Sequence, residues 1–155
     1  MAATLSDVLQ EEHVTLDLAA SDRTGVLREI IATMRRGMNS INADRLLGEV
    51  RAREELHTTY MADGVAFPHA RTDLVQEIVL GIGRSRGGVA FGPARERAHL
   101  LFLIAVPRRM VNDYLVCVGA LARVINNPET RNALMQTESK AEVVELIRAA
   151  SLLLE

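Results

Sequence analysis

The sequence predicts an α/β fold, a sheet covered by helices on both of its faces. Three observations carry this. Runs with apolar residues at helical spacing alternate along the chain with runs rich in β-branched residues. The segment His99 to Val106 is almost continuously apolar, as expected of a strand buried on both sides. The 155 residues, 48% hydrophobic and 25% charged, suit a single domain over 1–155 with one core.

The elements follow in order. After an apolar lead, Leu5 to Leu9, the stretch Val14 to Leu18 alternates apolar and polar residues and reads as a first strand. Ser21 or Asp22 offers an N-cap. Val26, Leu27, Ile30, Ile31, Met34 and Met38 then share one face of a helix over 23–37, which Gly37 is placed to stop. A second helix spans about Ala43 to Glu55, with Leu46, Leu47 and Val50 inward. Gly64 to Phe67 reads as a short strand ended by Pro68. Glu77 to Ile82 reads as another, with Val89 to Phe91 its hairpin partner across the Gly83 to Gly88 loop. His99 to Val106 is the strongest strand, and Pro107 ends it. Asn112 is placed to cap a helix that buries Leu115, Val118, Leu121, Ala122 and Ile125. A short helix after Pro128 and a last one over Lys140 to Ala150 complete the chain.

Composition excludes several functions. The longest apolar run is far short of the ~18 residues of a membrane span, and the first residues do not read as a secretory signal. A net charge of −2 and an aromatic content of 3% argue against nucleic-acid binding by bulk charge or base stacking. The single cysteine, Cys117, makes no metal pattern, reads as a small core residue and fits a reducing cytoplasm. The Gly81 to Gly88 stretch has Arg86 at the third glycine position of a dinucleotide motif and reads as a hairpin loop instead. The pairs Arg35–Arg36, Arg84/Arg86, Arg95/Arg97 and Arg108–Arg109 read as solvated charge, and His13, His57 and His99 show no ligand spacing.

The chemistry concentrates in Asp63-Gly64-Val65-Ala66-Phe67-Pro68-His69-Ala70-Arg71. Pro68 stops the sheet ladder, so His69 is expected at the carboxyl end of a strand, where open α/β sheets place their ligands. On local context alone, a loop histidine without a role competes with an acid–base or nucleophilic one. Upstream, Arg53 closes the second helix 16 residues before His69, and Thr58 and Thr59 follow. An arginine beside a histidine suits an anion carried on the imidazole, with the hydroxyls as further donors. The competing reading for Arg53 is a helix-face ion pair with Glu49.

This pattern, Arg53-Glu54, Thr58-Thr59 and Gly64-Val65-Ala66-Phe67-Pro68-His69-Ala70-Arg71, resembles the active-site region of enzyme IIA of the phosphoenolpyruvate:sugar phosphotransferase system. The likeness is to the fructose/mannitol type, including its nitrogen-regulatory branch. It extends over essentially the whole chain. The resemblance implies a mixed sheet of about five strands flanked by helices. It also implies a phosphohistidine carrier: His69 takes a phosphoryl group on Nε2 from an HPr-type phosphocarrier and passes it to a IIB component. Arg53 is then the phosphate-side arginine, Thr58 and Thr59 are supporting, and neither metal nor cofactor is needed. The alternatives it implies are a regulator that binds targets by phosphorylation state and a non-phosphorylated interaction module. One position departs from the pattern: Tyr114, in Asn112-Asp113-Tyr114-Leu115, stands where the family commonly has a second histidine.

Overall fold

The computed structural model describes residues 5–34 and 40–152. A short helix α1 (Leu5–Val8) and a 3-10 turn lead into β1 (Val14–Thr15), followed by α2 (Arg23–Thr33) and α3 (Ser40–Leu56). Three short strands come next: β2 (Tyr60–Ala62), β3 (Val65–Ala66) and β4 (His69–Arg71). The long hairpin of β5 (Val79–Ala90) and β6 (Arg97–Val106) leads to α4 (Val111–Ile125), α5 (Pro128–Gln136) and α6 (Lys140–Leu152).

The sheet is mixed, in the order β1-β5-β6-β3-β2, with β4 also paired to β6. β6 decides this arrangement. Its residues alternate between two cores: Leu100, Phe102, Ile104 and Val106 pack with α1, α4, α5 and α6, while Leu101, Leu103 and Ala105 pack with α2 and α3. Period-two alternation with apolar residues on both faces is what a fully covered strand requires.

The structure corrects several boundaries. β1 is shorter than the expected Val14 to Leu18, although Leu18 still donates its N–H to the Arg84 carbonyl at 3.0 Å. Asp22 caps α2 through Gly25, but the helix leaves α geometry at Met34, where ψ is 51°. The expected continuation through Gly37, with Met38 and the Arg35–Arg36 pair, lies outside the described residues. α4 begins directly from a 3-10 turn, so Asn112 sits inside its first turn and caps nothing. Leu115, expected inside, is 57% exposed, and Cys117, Leu121, Val124 and Ile125 form the buried stripe.

The largest difference concerns Gly81 to Gly88. It is not a hairpin loop: β5 runs straight through it, and the chain reverses later, between Ala90 and Arg97. Two glycines of β5, Gly81 and Gly83, serve packing. A Cβ on Gly81 would lie 2.6 Å from Ile30 Cγ2, and one on Gly83 would lie 2.7 Å from Ile30 Cδ1. Their absence lets α2 lie close against the strand. A register shift between Arg84 and Val89 takes up the rest. Arg84, expected to be solvated, is 2% exposed, and its guanidinium donates to the carbonyls of Leu16, Leu134, Met135 and Thr137.

Pro68 interrupts the sheet without ending it. β3 pairs Val65 with Leu100 and β4 pairs His69 with Ile104, the same parallel register on the same strand. The proline lacks an N–H, but its carbonyl still accepts from Ile104 at 3.0 Å. His69 therefore opens a further strand segment rather than lying beyond the sheet. This is why six segments occupy about five strand positions.

Candidate functional site

Alternation along β3 and β4 sets the direction of His69. Ala66 and Ala70 belong to the α2–α3 core, while Val65 and Phe67 belong to the core under α4. His69 follows the second set and meets α4, its ring centroid 5.3 Å from that of Tyr114 at an interplanar angle of 37°. Tyr114 reaches it from the first turns of α4.

The imidazole is anchored by its own strand. Nδ1 lies 3.0 Å from the Phe67 carbonyl oxygen, and a carbonyl only accepts. In the neutral ring Nδ1 therefore carries the proton, and the Nε2 lone pair is left for chemistry. Burial holds the His69 pKa below its ordinary value, and the Arg53 charge adds to that; the Phe67 carbonyl and Glu54 oppose it. The Tyr114 phenol is pushed up by burial, with Arg53 acting in the opposite sense. Arg53 thus acts electrostatically on both rings.

Arg53 sits in the last turn of α3, and its Nη1 donates to the His57 carbonyl at 2.7 Å. Its competing partner, Glu49, accepts instead from the Thr72 hydroxyl at 2.8 Å. The Thr58 and Thr59 hydroxyls are committed as donors to Glu54, at 3.1 and 2.6 Å, rather than free for a ligand. Glu54 stands in the motif beside Arg53, but the motif by itself suggests no role for it. It is 4% exposed, and its position four and five residues before the two threonines was the available signal.

A tight hairpin joins β2 to β3. Asp63 and Gly64 take φ of 55° and 78°, the left-handed pair of a two-residue turn, and the Tyr60 hydroxyl accepts from the Gly64 N–H at 3.0 Å. The other histidines stand apart. His13 Nδ1 is 3.1 Å from the Leu80 carbonyl, His99 Nδ1 is 3.0 Å from that of Ser85, and the His57 side chain is exposed. Burial pushes the Cys117 thiol up to about 11, which keeps it protonated. Among the described residues, no cluster of three or more His, Cys, Asp or Glu is arranged to hold a metal. No described helix is long and apolar enough to cross a membrane.

A half-buried histidine and a phenol thus meet on the sheet, and the charge of an arginine at a helix end acts on both. The sequence profile of the phosphoenolpyruvate-dependent sugar phosphotransferase system, EIIA 2, matches residues 7–150. The chain belongs to this family. Among EIIA relatives, the fructose-specific EIIA component of Haloferax volcanii is 27% identical over 144 residues, covering 92% of this chain and 94% of that protein. The fructose-specific EIIABC component of Bacillus subtilis is 24% identical over 144 residues, covering 92% of this chain; the chain spans 23% of that longer protein. The crystal structure of nitrogen regulatory protein IIA-Ntr from Neisseria meningitidis superposes with a TM-score of 0.84 at 26% identity, covering 92% of this chain and 98% of that one. EIIA is a family of phosphotransferase-system components, and the relatives of this chain include both fructose-specific EIIA and nitrogen regulatory proteins.

Proposed function

We propose that this EIIA protein is a phosphohistidine carrier that accepts a phosphoryl group on Nε2 of His69 from an HPr-type phosphocarrier and hands it to a IIB component. The observation that carries the reading is the Nδ1 hydrogen bond to Phe67, which leaves Nε2 unprotonated on a ring whose neutral form is favoured by burial. In the transfer, the Nε2 lone pair forms a bond to phosphorus. The N–P bond of the donor's phosphohistidine breaks, and its electron pair returns to the donor imidazole. No proton needs to leave His69, because Nδ1 keeps its own. Arg53 and Tyr114 supply charge and a hydrogen-bond donor for the phosphoryl oxygens, and positioning with charge stabilisation is most of what phosphoryl transfer asks of a protein.

The test is incubation with phosphoenolpyruvate, enzyme I and the HPr-type donor. An acid-labile, base-stable adduct is expected, and His69→Ala should abolish it. An adduct that survives the substitution overturns the assignment.

A second reading, a regulator that binds target proteins according to its phosphorylation state, is favoured by the likeness to the IIA-Ntr structure. It uses the same His69 chemistry and differs in the acceptor: the phosphorylated protein would then fail to donate to IIB components.

A further inference from the structure

Three hydrogen bonds converge on the buried carboxylate of Glu54. Thr59 gives two, from its N–H to Oε2 at 2.7 Å and from its hydroxyl to Oε1 at 2.6 Å; the Thr58 hydroxyl gives the third, to Oε2 at 3.1 Å. A carboxylate at 4% exposure costs free energy to desolvate, and these donors are what offsets it.

The segment that Glu54 grips touches both halves of the site. On one side, the His57 carbonyl holds the Arg53 guanidinium at 2.7 Å. On the other, the Thr59 carbonyl accepts the Phe67 N–H at 3.1 Å, and the Phe67 carbonyl holds His69 Nδ1 at 3.0 Å. Phe67 is itself fixed by its ring, stacked 5.6 Å from that of Phe102 in the core. Residues 57–59 are therefore a bridge between the cation and the nucleophile, and Glu54 is what clamps the bridge. The coupling is mechanical: Thr59 is held at its N–H, hydroxyl and carbonyl, Thr58 through its hydroxyl, and His57 through its carbonyl.

We propose that Glu54 is the positioning residue of this site: by gripping Thr58 and Thr59, its carboxylate holds Arg53 and His69 in one rigid frame and keeps His69 in the tautomer with Nε2 unprotonated. The proposal rests on the reading of His69 as the phosphoryl acceptor, and it gives Thr58 and Thr59 a role as clamps on Glu54 rather than as phosphate donors.

The experiment uses Glu54→Gln, which keeps the shape but turns one acceptor oxygen into a donor, together with Thr59→Val and Thr59→Ser. Nitrogen-15 spectra of the unphosphorylated proteins report the His69 tautomer, and transfer from the HPr-type donor reports kcat and KM. In Glu54→Gln the Nδ1–H tautomer should lose its dominance, and kcat should fall about tenfold or more, since small misplacements of reacting groups are costly. Donor KM should stay within about twofold, because docking is untouched. Thr59→Val should follow Glu54→Gln, and Thr59→Ser should restore the native behaviour. An unchanged tautomer in folded Glu54→Gln overturns the proposal. Should Glu54→Gln fail to fold, a native tautomer and kcat in Thr59→Val overturn it equally. If the native protein takes no phosphoryl group on His69, the carrier reading is what fails, and the tautomer spectra still decide the role of Glu54.

Discussion

The His69 and Tyr114 rings, brought together from β4 and from the first turns of α4, lie 5.3 Å apart and tilted by 37°. The phenol is the ring that faces His69 across this contact. It stays protonated well above neutral pH, because burial pushes its pKa up. It therefore offers a hydrogen-bond donor but no positive charge.

Tyr114→Phe removes that donor and little else. One hydrogen bond to a charged phosphoryl oxygen is worth about 1.5 kcal/mol or somewhat more, so phosphorylation of His69 should slow by about tenfold or more. Tyr114→His should support or improve acceptance. If the native protein accepts no phosphoryl group from any donor and Tyr114→His restores acceptance, the chain is a non-phosphorylated interaction module.

The pH dependence follows from the sign of the His69 shift. Its folded pKa lies below the ordinary 6.5, chiefly through burial and then through Arg53. The neutral nucleophile thus persists into mildly acidic solution, and the acid limb of phosphorylation should have its midpoint below 6.5. The same shift contributes to stability above pH 6.5, and that contribution is lost as pH falls through 6.5 towards the folded pKa, because the unfolded chain binds the proton first. Arg53→Gln should raise the midpoint. An NMR titration of His69 checks both, and a midpoint at or above 6.5 in the native protein contradicts the geometry.

Arg53→Lys keeps the charge but loses the planar fork that pairs with two phosphoryl oxygens. Transfer should slow markedly, while the melting behaviour changes by no more than ~0.5 kcal/mol, as for most surface substitutions. Equal transfer rates in the two proteins would reduce Arg53 to a contact with the His57 carbonyl.

Gly81→Ala places a Cβ 2.6 Å from Ile30 Cγ2 and 2.8 Å from the Met34 sulfur, both in a fully buried layer. Overpacking of this kind costs about 1–3 kcal/mol. Gly87→Ala meets nothing within 4 Å and should stay within about 0.5 kcal/mol of the native protein. Urea unfolding of the pair checks the contrast, and phosphorylation of His69 should survive in both.

Short-range periodicity and residue chemistry make part of this protein readable along the chain. The two-sided burial of β6, the apolar face of α2, the Asp22 cap and the small buried Cys117 were legible because each is written within a few residues. Arg53, His69 and Tyr114 are likewise written in local motifs, which is what makes them candidates for the site. Features that depend on a neighbour distant in the chain emerge only once the packing is in place. Gly81 to Gly88 looks like a turn until α2 is laid over it; then the missing Cβ atoms explain a continuous strand. Pro68 looks like a terminus until β6 is seen offering the same register on both sides of it. Glu54 looks like one more charge on a polar helix end until the turn folds back, buries it and hands it the donors of Thr58 and Thr59. In each case the local residue types allow two structures, and the packing partner selects one.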